Sequence, residues 1–366
     1  MNFDFLKNLF LFPLILSFAV SFVCTPLTIK LAWRIGLIDD PKKKNHPKII
    51  HTYPVPRGGG IPILASLLIA SLIFLPLDKH LLGILLGAVF TVIVGLLDDK
   101  YDLNPYLRIL TCTLCALIVV AVGIGIPFIN NPLGGIIHLD QPRIYINLFG
   151  GQHSLWLLAD FLAVLWIVWC MNIVNWSSGL DGQISGIVPI AAITIALLSF
   201  RTPQDPSQWP VAILAAICAG AYLGFLPFHF YPQKIMPGFG GTTLAGFLLA
   251  VLAILAGAKI NTAVIVLGIP MIDGLWTIVR RILTGHAPFW GDRGHLHHRL
   301  LDLGWSKRKV AIFYWLITAI LGIVALNLNS RQKLYTIITL VVAVGGVLLW
   351  LTYLKALSSR PDRSNG

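Results

Sequence analysis

The sequence predicts an all-α, polytopic integral membrane protein, and three observations predict it. Hydrophobic residues fill 57% of the 366 positions, charged residues only 11%, and the mean hydropathy is +0.82. A water-soluble fold of this length has too little interior to hide that much apolar surface. Apolar runs near the length that crosses a bilayer, about 20 residues, recur along the chain. About eleven can be read, at 9–31, 58–77, 81–97, 106–126, 154–173, 185–200, 210–228, 242–258, 261–283, 309–327 and 334–355.

Taken in order, the first run is long, lacks a small-residue cleavage site and continues through Pro26-Leu27-Thr28-Ile29-Lys30, so it reads as a retained anchor and not a secretory signal. The segment 34–57 is a basic loop with Lys42, Lys43, Lys44 and Lys48, ending in Arg57-Gly58-Gly59-Gly60. Those glycines could form an anion-binding nest of amides or simply start a helix. The run at 81–97 ends in Leu97-Asp98-Asp99-Lys100, two carboxylates placed where the chain leaves hydrocarbon. Adjacent acids repel and gain nothing from lipid, which favours a metal, a basic partner or phosphate chemistry over a solvated helix end. Cys112 and Cys115 have redox spacing, but inside an apolar run a thiol serves as a small hydrophobe, and no cofactor follows from the cysteines.

Further on, the alternation in Arg143-Ile144-Tyr145-Ile146-Asn147-Leu148 predicts a small hairpin within 127–154. Asn172 and Asn175, one helical turn apart, open a polar segment that runs through Gly179, Asp181 and Gly182 to Gly186. Asp273 lies about two turns before Arg280 on its run; a hydrogen-bonded partner such as Thr277 and a catalytic role are both open. The loop 280–309 holds Arg280-Arg281, Asp292-Arg293 and His295-Leu296-His297-His298-Arg299. Three histidines in four positions can bind a metal or donate to a diphosphate, and the flanking arginines favour the second. Trp156, Trp166, Trp169, Trp315 and Trp350 read as interface anchors and packing groups. No second soluble domain is visible: residues 1–366 form a single integral-membrane domain, with 34–57 and 280–309 as its cytoplasmic loops.

Basic residues set the orientation. If 34–57 is cytoplasmic, then Lys100, Arg108, Lys234, the 280–309 cluster and the tail share its side, and only Lys7, Lys79, Arg143, Arg201, Lys259, Arg331 and Lys333 lie opposite. This puts the N-terminus outside and the C-terminus inside, in a multi-pass inner (plasma) membrane protein. All fifteen acids are aspartate, and most fall on the same face as the bases. A net charge of +12 gathered there faces anionic headgroups and phosphorylated metabolites. Nucleic acid is excluded as a partner, because the basic residues are scattered over loops with no compact domain to dock on a duplex.

The motifs Leu97-Asp98-Asp99-Lys100-Tyr101-Asp102-Leu103, Asn172 to Gly186 and Gly285 to His298, in that order, resemble the polyprenyl-phosphate N-acetylhexosamine-1-phosphate transferases. The likeness runs from about Arg34 to Trp315 and includes Ile35-Gly36-Leu37-Ile38-Asp39 with Pro56-Arg57-Gly58-Gly59. The His-Leu-His-His segment is more similar to the branch acting on UDP-N-acetylhexosamines than to the phospho-N-acetylmuramoyl-pentapeptide branch. The resemblance implies that a polyprenyl phosphate oxygen attacks the sugar-bearing phosphorus of a UDP-sugar and releases UMP, for wall or surface polysaccharide. It implies Mg²⁺, or Mn²⁺ in its place, and is compatible with a homodimer. By similarity Asp98, Asp99 and Asp181 would be the catalytic and metal-binding acids. Asn172, Asn175, Asp292, Arg293, His295, His297 and His298 would bind substrate. The expected arrangement brings the runs at 81–97, 154–173, 242–258 and 261–283 around one site, roofed by 280–309. Three positions depart from the family pattern: Ser178 and Phe239 stand where acids are usual, and His229 where asparagine is usual. The alternative they raise is a catalytically impaired relative that binds carrier lipid or scaffolds partner enzymes.

Overall fold

A computed structural model describes residues 6–42, 51–131, 134–148, 151–201, 204–257, 259–288 and 292–358. Lys43, Lys44 and Lys48 of the first basic loop, residues 289–291 of the second and the basic tail residues Arg360 and Arg363 lie outside the described residues. The helices are α1 (Phe12–Ile35), α2 (Gly60–Phe74), α3 (Lys79–Tyr101), α4 (Pro105–Ala121), α5 (Leu157–Trp176), α6 (Gln183–Ser199), α7 (Trp209–His229), α8 (Gly238–Leu255), α9 (Ile260–Val266), α10 (Gly268–Leu283), α11 (Leu296–Asp302), α12 (Lys307–Asn327) and α13 (Ser330–Ser358). Among the described residues seven helical segments are long and apolar enough to cross a bilayer, or eight if α9 and α10 count as one span. The chain is a multi-pass membrane protein. The runs at 58–77, 106–126 and 185–200 become α2, α4 and α6, which are apolar but shorter than that measure.

The run at 261–283 is not a straight helix. It breaks at Leu267, and α9 and α10 meet at 83°. Gly268 and Pro270 open α10, and a proline ring at the third position leaves a carbonyl of the preceding turn without its donor, which favours a break there. Helix starts elsewhere follow ordinary capping: Asp78 accepts from the Leu81 amide, Asn104 from the Tyr106 amide ahead of α4, and Ser306 from the Lys309 amide.

Packing follows membrane rules more than aqueous ones. On α1 the small polar residues Ser17, Ser21, Thr25 and Thr28 are buried, while Ile15, Val23 and Leu27 are exposed. Ser17 donates to the Ile217 carbonyl on α7, so a hydroxyl serves as interhelical glue where lipid offers apolar side chains no advantage. The crossing of α3 with α8 is tighter still. A Cβ on Gly95 would lie 2.1 Å from Gly240 Cα, so only glycine lets the two backbones touch. That contact delivers the C-terminal end of α3 to the start of α8.

Among the described residues six short strands form three antiparallel pairs. β1 (Ile38–Asp39) pairs with β2 (Val55–Pro56). At the other end of the bundle β3 (Phe128–Asn130) pairs with β4 (Ile136–His138), and β5 (Arg143–Leu148) with β6 (Gly151–Trp156). The hairpin expected at 143–148 is therefore present, with Arg143 opposite Trp156 and its guanidinium 4.7 Å from that ring centre. All five cysteines are free thiols.

Candidate functional site

One end of the bundle collects nearly every polar motif of the sequence. Asp98 and Asp99 sit at the C-terminal end of α3, and both are buried. Asp98 accepts from Arg108 Nε, and the same guanidinium donates through Nη2 to Asp102 at 2.8 Å. Asp99 Oδ1 accepts from the Phe239 amide at 3.1 Å and lies 3.6 Å from Arg57 Nη1, whereas Oδ2 is buried without a hydrogen-bond partner. Arg57 is shared: its Nη2 donates to Asp39 at 2.6 Å. Burial opposes the charge on Arg57, but Asp99 and Asp39 beside it hold the guanidinium firmly protonated.

Of the backbone amides from Arg57 to Gly60, those of Arg57 and Gly59 are engaged by carbonyls. The Arg57 amide goes to the Leu37 carbonyl and the Gly59 amide to the Met236 carbonyl, while Met236 in turn donates to Pro56. These bonds stitch the loop at 51–59 to the turn before α8. The same turn reaches Asp181, whose Oδ2 accepts from the Gln233 amide at 3.4 Å, while Oδ1 lies 3.5 Å from Lys307 Nζ without a hydrogen bond. Tyr53 donates to the Gln233 carbonyl at 3.2 Å. Burial, and then the nearby Asp181 charge, push the Tyr53 phenol above its usual value.

The two asparagines divide. Asn172 donates back to the Val168 carbonyl within α5, at 2.9 Å. Asn175 Oδ1 accepts from Thr242 on α8 at 2.6 Å, which ties the end of α5 to the start of α8. Ser178 donates to the Asn175 carbonyl and so shapes the turn that carries Gly179 and Asp181.

That turn is covered by the histidine segment. His297 is buried with neither ring nitrogen hydrogen-bonded, and a Cβ on Gly179 would lie 2.2 Å from its Nε2, so the imidazole rests directly on the glycine. The rings of His295 and His297 stack at 5.6 Å, and those of His297 and His298 lie 4.3 Å apart. Burial, reinforced by its neighbouring imidazoles and Arg293, holds His297 well below the usual imidazole range. Burial followed by Arg293 brings His298 down to about 4, so both rings are neutral at pH 7.

His295 is positioned by Asp273, and the partners of that acid are His295 and the Leu296 amide, where the sequence suggested Thr277. Its Nδ1 donates to Asp273 Oδ2 at 2.8 Å, because a carboxylate can only accept, and Thr277 lies 3.4 Å from the same nitrogen. Asp273 Oδ1 also accepts from the Leu296 amide and caps α11.

Asp292 and Arg293 flank this core and are engaged by other partners. Asp292 accepts from Arg280 at 2.8 Å, Arg281 at 3.1 Å and the Gly294 amide at 2.6 Å, and clamps the loop onto α10. Burial works against its ionisation, but Arg281, the Gly294 amide and Arg280 outweigh it and bring the carboxyl to about 2. Arg293 pairs with Asp302 at 3.3 Å on an exposed edge.

Sequence reading missed Arg108, Lys307, Tyr53, Gln233 and Thr242 as members of the site. Trp315, taken for a packing group, donates to the Gly182 and Gln183 carbonyls and fixes the turn from outside. The residues present do not fit the implied Mg²⁺. Three orphaned oxygens, on Asp39, Asp99 and Asp181, would suit a cation, yet among the described residues no three His, Cys or Asp side chains gather to hold one. The Phe239 ring, with Arg108 Cζ 5.6 Å from its centre, offers no oxygen.

Residues 81–257 match the family described as Glycosyl transferase family 4. A Bacillus subtilis protein named probable undecaprenyl-phosphate N-acetylglucosaminyl 1-phosphate transferase is 30% identical over 326 residues, covering 86% of this chain and 84% of its own. The decaprenyl-phosphate N-acetylglucosaminephosphotransferase of Mycobacterium leprae is 30% identical over 344 residues, covering 85% and 81%. The phospho-N-acetylmuramoyl-pentapeptide-transferase of Bacillus velezensis is also 30% identical, over 333 residues, covering 87% and 98%.

Proposed function

We propose that this chain, which belongs to glycosyl transferase family 4, transfers an N-acetylhexosamine-1-phosphate from a UDP-sugar to a polyprenyl phosphate for cell-wall or surface polysaccharide synthesis. The observation that carries the proposal is the meeting of Asp99, Asn175, Asp181 and His297 through contacts across α3, α5, α8 and α11, in a chain whose relatives carry that activity in their names. The apolar runs support about eleven passages, and the bias of Lys and Arg along the sequence supports a cytoplasmic site, an outside N-terminus and a cytoplasmic C-terminus in the inner (plasma) membrane.

In this reading an oxygen of the lipid phosphate attacks the sugar-bearing phosphorus, the bond to UMP breaks, and the sugar phosphate ends on the lipid. Joining two anions needs positioning and charge neutralisation far more than covalent help. Asp99 Oδ2, which no donor occupies, is the base that takes any proton left on the lipid phosphate. Asn175 has its oxygen engaged by Thr242 and turns its amide N–H groups to the nucleotide. His295, held as the Nδ1–H tautomer by Asp273, and the neutral His297 and His298 line the diphosphate. Asp292 keeps the roof closed over them.

The test incubates the purified full-length chain with polyprenyl phosphate, Mg²⁺ and radiolabelled UDP-N-acetylglucosamine. UMP release that requires the lipid is the expected result. Lipid binding without UMP release would leave a carrier-binding protein and end the transferase reading.

A further inference from the structure

We infer that the phosphates brought to this site are met by Arg57, Arg108 and Lys307, and that ligand binding needs no resident divalent cation. The inference rests on the transferase reading and concerns how the same site neutralises its substrates.

Each of the three aspartates that would hold a metal already has a basic partner from a different element. Asp98 is taken by Arg108 of α4, Asp99 lies 3.6 Å from Arg57 of the 51–59 loop, and Asp181 lies 3.5 Å from Lys307 at the start of α12. A divalent ion placed among them would sit beside three fixed positive charges. It would also need hard oxygen ligands where the structure puts the Phe239 ring under the Arg108 guanidinium.

The three cations are not used up by these pairs. Their side chains are 23%, 29% and 17% exposed for Arg57, Arg108 and Lys307, against 5% or less for Asp39, Asp98, Asp99 and Asp181 beside them, while the second partner of Arg108, Asp102, is exposed. A guanidinium has five N–H donors, and the structure engages one of Arg57 and two of Arg108 in hydrogen bonds. Lys307 rests 5.4 Å from the Tyr231 ring centre and makes no hydrogen bond to Asp181. A cation buttressed by a buried carboxylate on one side and open on the other is preorganised for a phosphate oxygen. Arg57 and Arg108 are placed for one end of a nucleotide-sugar diphosphate and Lys307, beside the Gly179–Asp181 turn, for the other.

The test titrates UDP-N-acetylglucosamine into the full-length protein, once with excess EDTA and once with Mg²⁺, and follows Mn²⁺ alone by electron paramagnetic resonance. The expected result is a Kd that agrees between the two buffers within about two-fold, no protein-bound Mn²⁺ signal, and about ten-fold weaker binding in both buffers for Arg57→Gln and for Lys307→Gln. Thermal melting of each variant separates a lost contact from a lost fold. Binding weakened about ten-fold or more by EDTA, or a tightly held Mn²⁺, overturns the inference and leaves the transferase reading standing. Wild-type strength in both variants also overturns it. Absence of UDP-sugar binding in either buffer, together with no UMP release, overturns both.

Discussion

Gly179 shows how little freedom the site has at the level of single residues. His297 lies where the Cβ of any other residue would go, 2.2 Å from its Nε2, and the imidazole is buried with no bond of its own to guide it elsewhere. Gly179→Ala is therefore expected to displace the ring. UMP release should fall by about 100-fold, the usual cost of a misplacement near 1 Å, and overpacking should cost about 1–3 kcal/mol of stability. Rate measurement and thermal melting check the two separately. Much of this site was legible residue by residue: Asp98-Asp99, Asn175, Asp181 and the histidines are polar groups at the ends of apolar runs, where hydrocarbon makes them costly. Their partners were not. The Phe239 amide that binds Asp99 is 140 positions away, and nothing in the local sequence of Arg108 or Lys307 says which carboxylate each will meet. The roles of Asp292 in the loop clamp and of Arg293 in its pair with Asp302 were not legible, since a charged side chain in a loop does not say which partner it will meet.

At the scale of elements, α11 is a helix of two turns that depends on charges from elsewhere. Asp273 caps it, Asp292 clamps the loop before it, and it carries two imidazoles whose burial disfavours protonation. The sign of the pH effect follows. From about 6.5, where a free imidazole titrates, down to about 4, where His298 does, the unfolded chain binds more protons than the folded one. Stability is thus complete above that window and declines as pH falls through it. The thermal midpoint in detergent is expected to drop between pH 7 and pH 5, with a shallower slope in His298→Gln, as melting curves at the two pH values would show. Hydropathy located α9 and α10 but gave no hint of the 83° between them, because an apolar run records which residues avoid water and not the direction in which they travel. The Leu-Gly-Ile-Pro sequence at 267–270 was the available signal.

For the molecule as a whole, the polar motifs and the strands β3 to β6 occupy opposite ends of the bundle, and most basic residues lie with the former. A reporter enzyme active only outside the cytoplasm is expected to be silent when fused after α13 and active when inserted between β3 and β4. The reverse pattern would invert the proposed topology. Length and composition were enough for the class of fold, since burial alternatives do not exist for so much apolar surface. They were not enough to decide whether α2, α4 and α6, at 15 to 17 residues, reach across a bilayer unaided.

Arg299 leaves the roof of the site mechanically tied to the periphery. Its Nε holds the Gly294 carbonyl, and its Nη1 holds the Leu348 carbonyl and Thr352 hydroxyl of α13, a helix that otherwise faces outward. A displacement of α13 by a thinner or thicker bilayer is expected to pull on the segment that carries the imidazoles above Gly179, so UMP release is expected to vary with acyl-chain length, as assays in vesicles of short- and long-chain lipid would show.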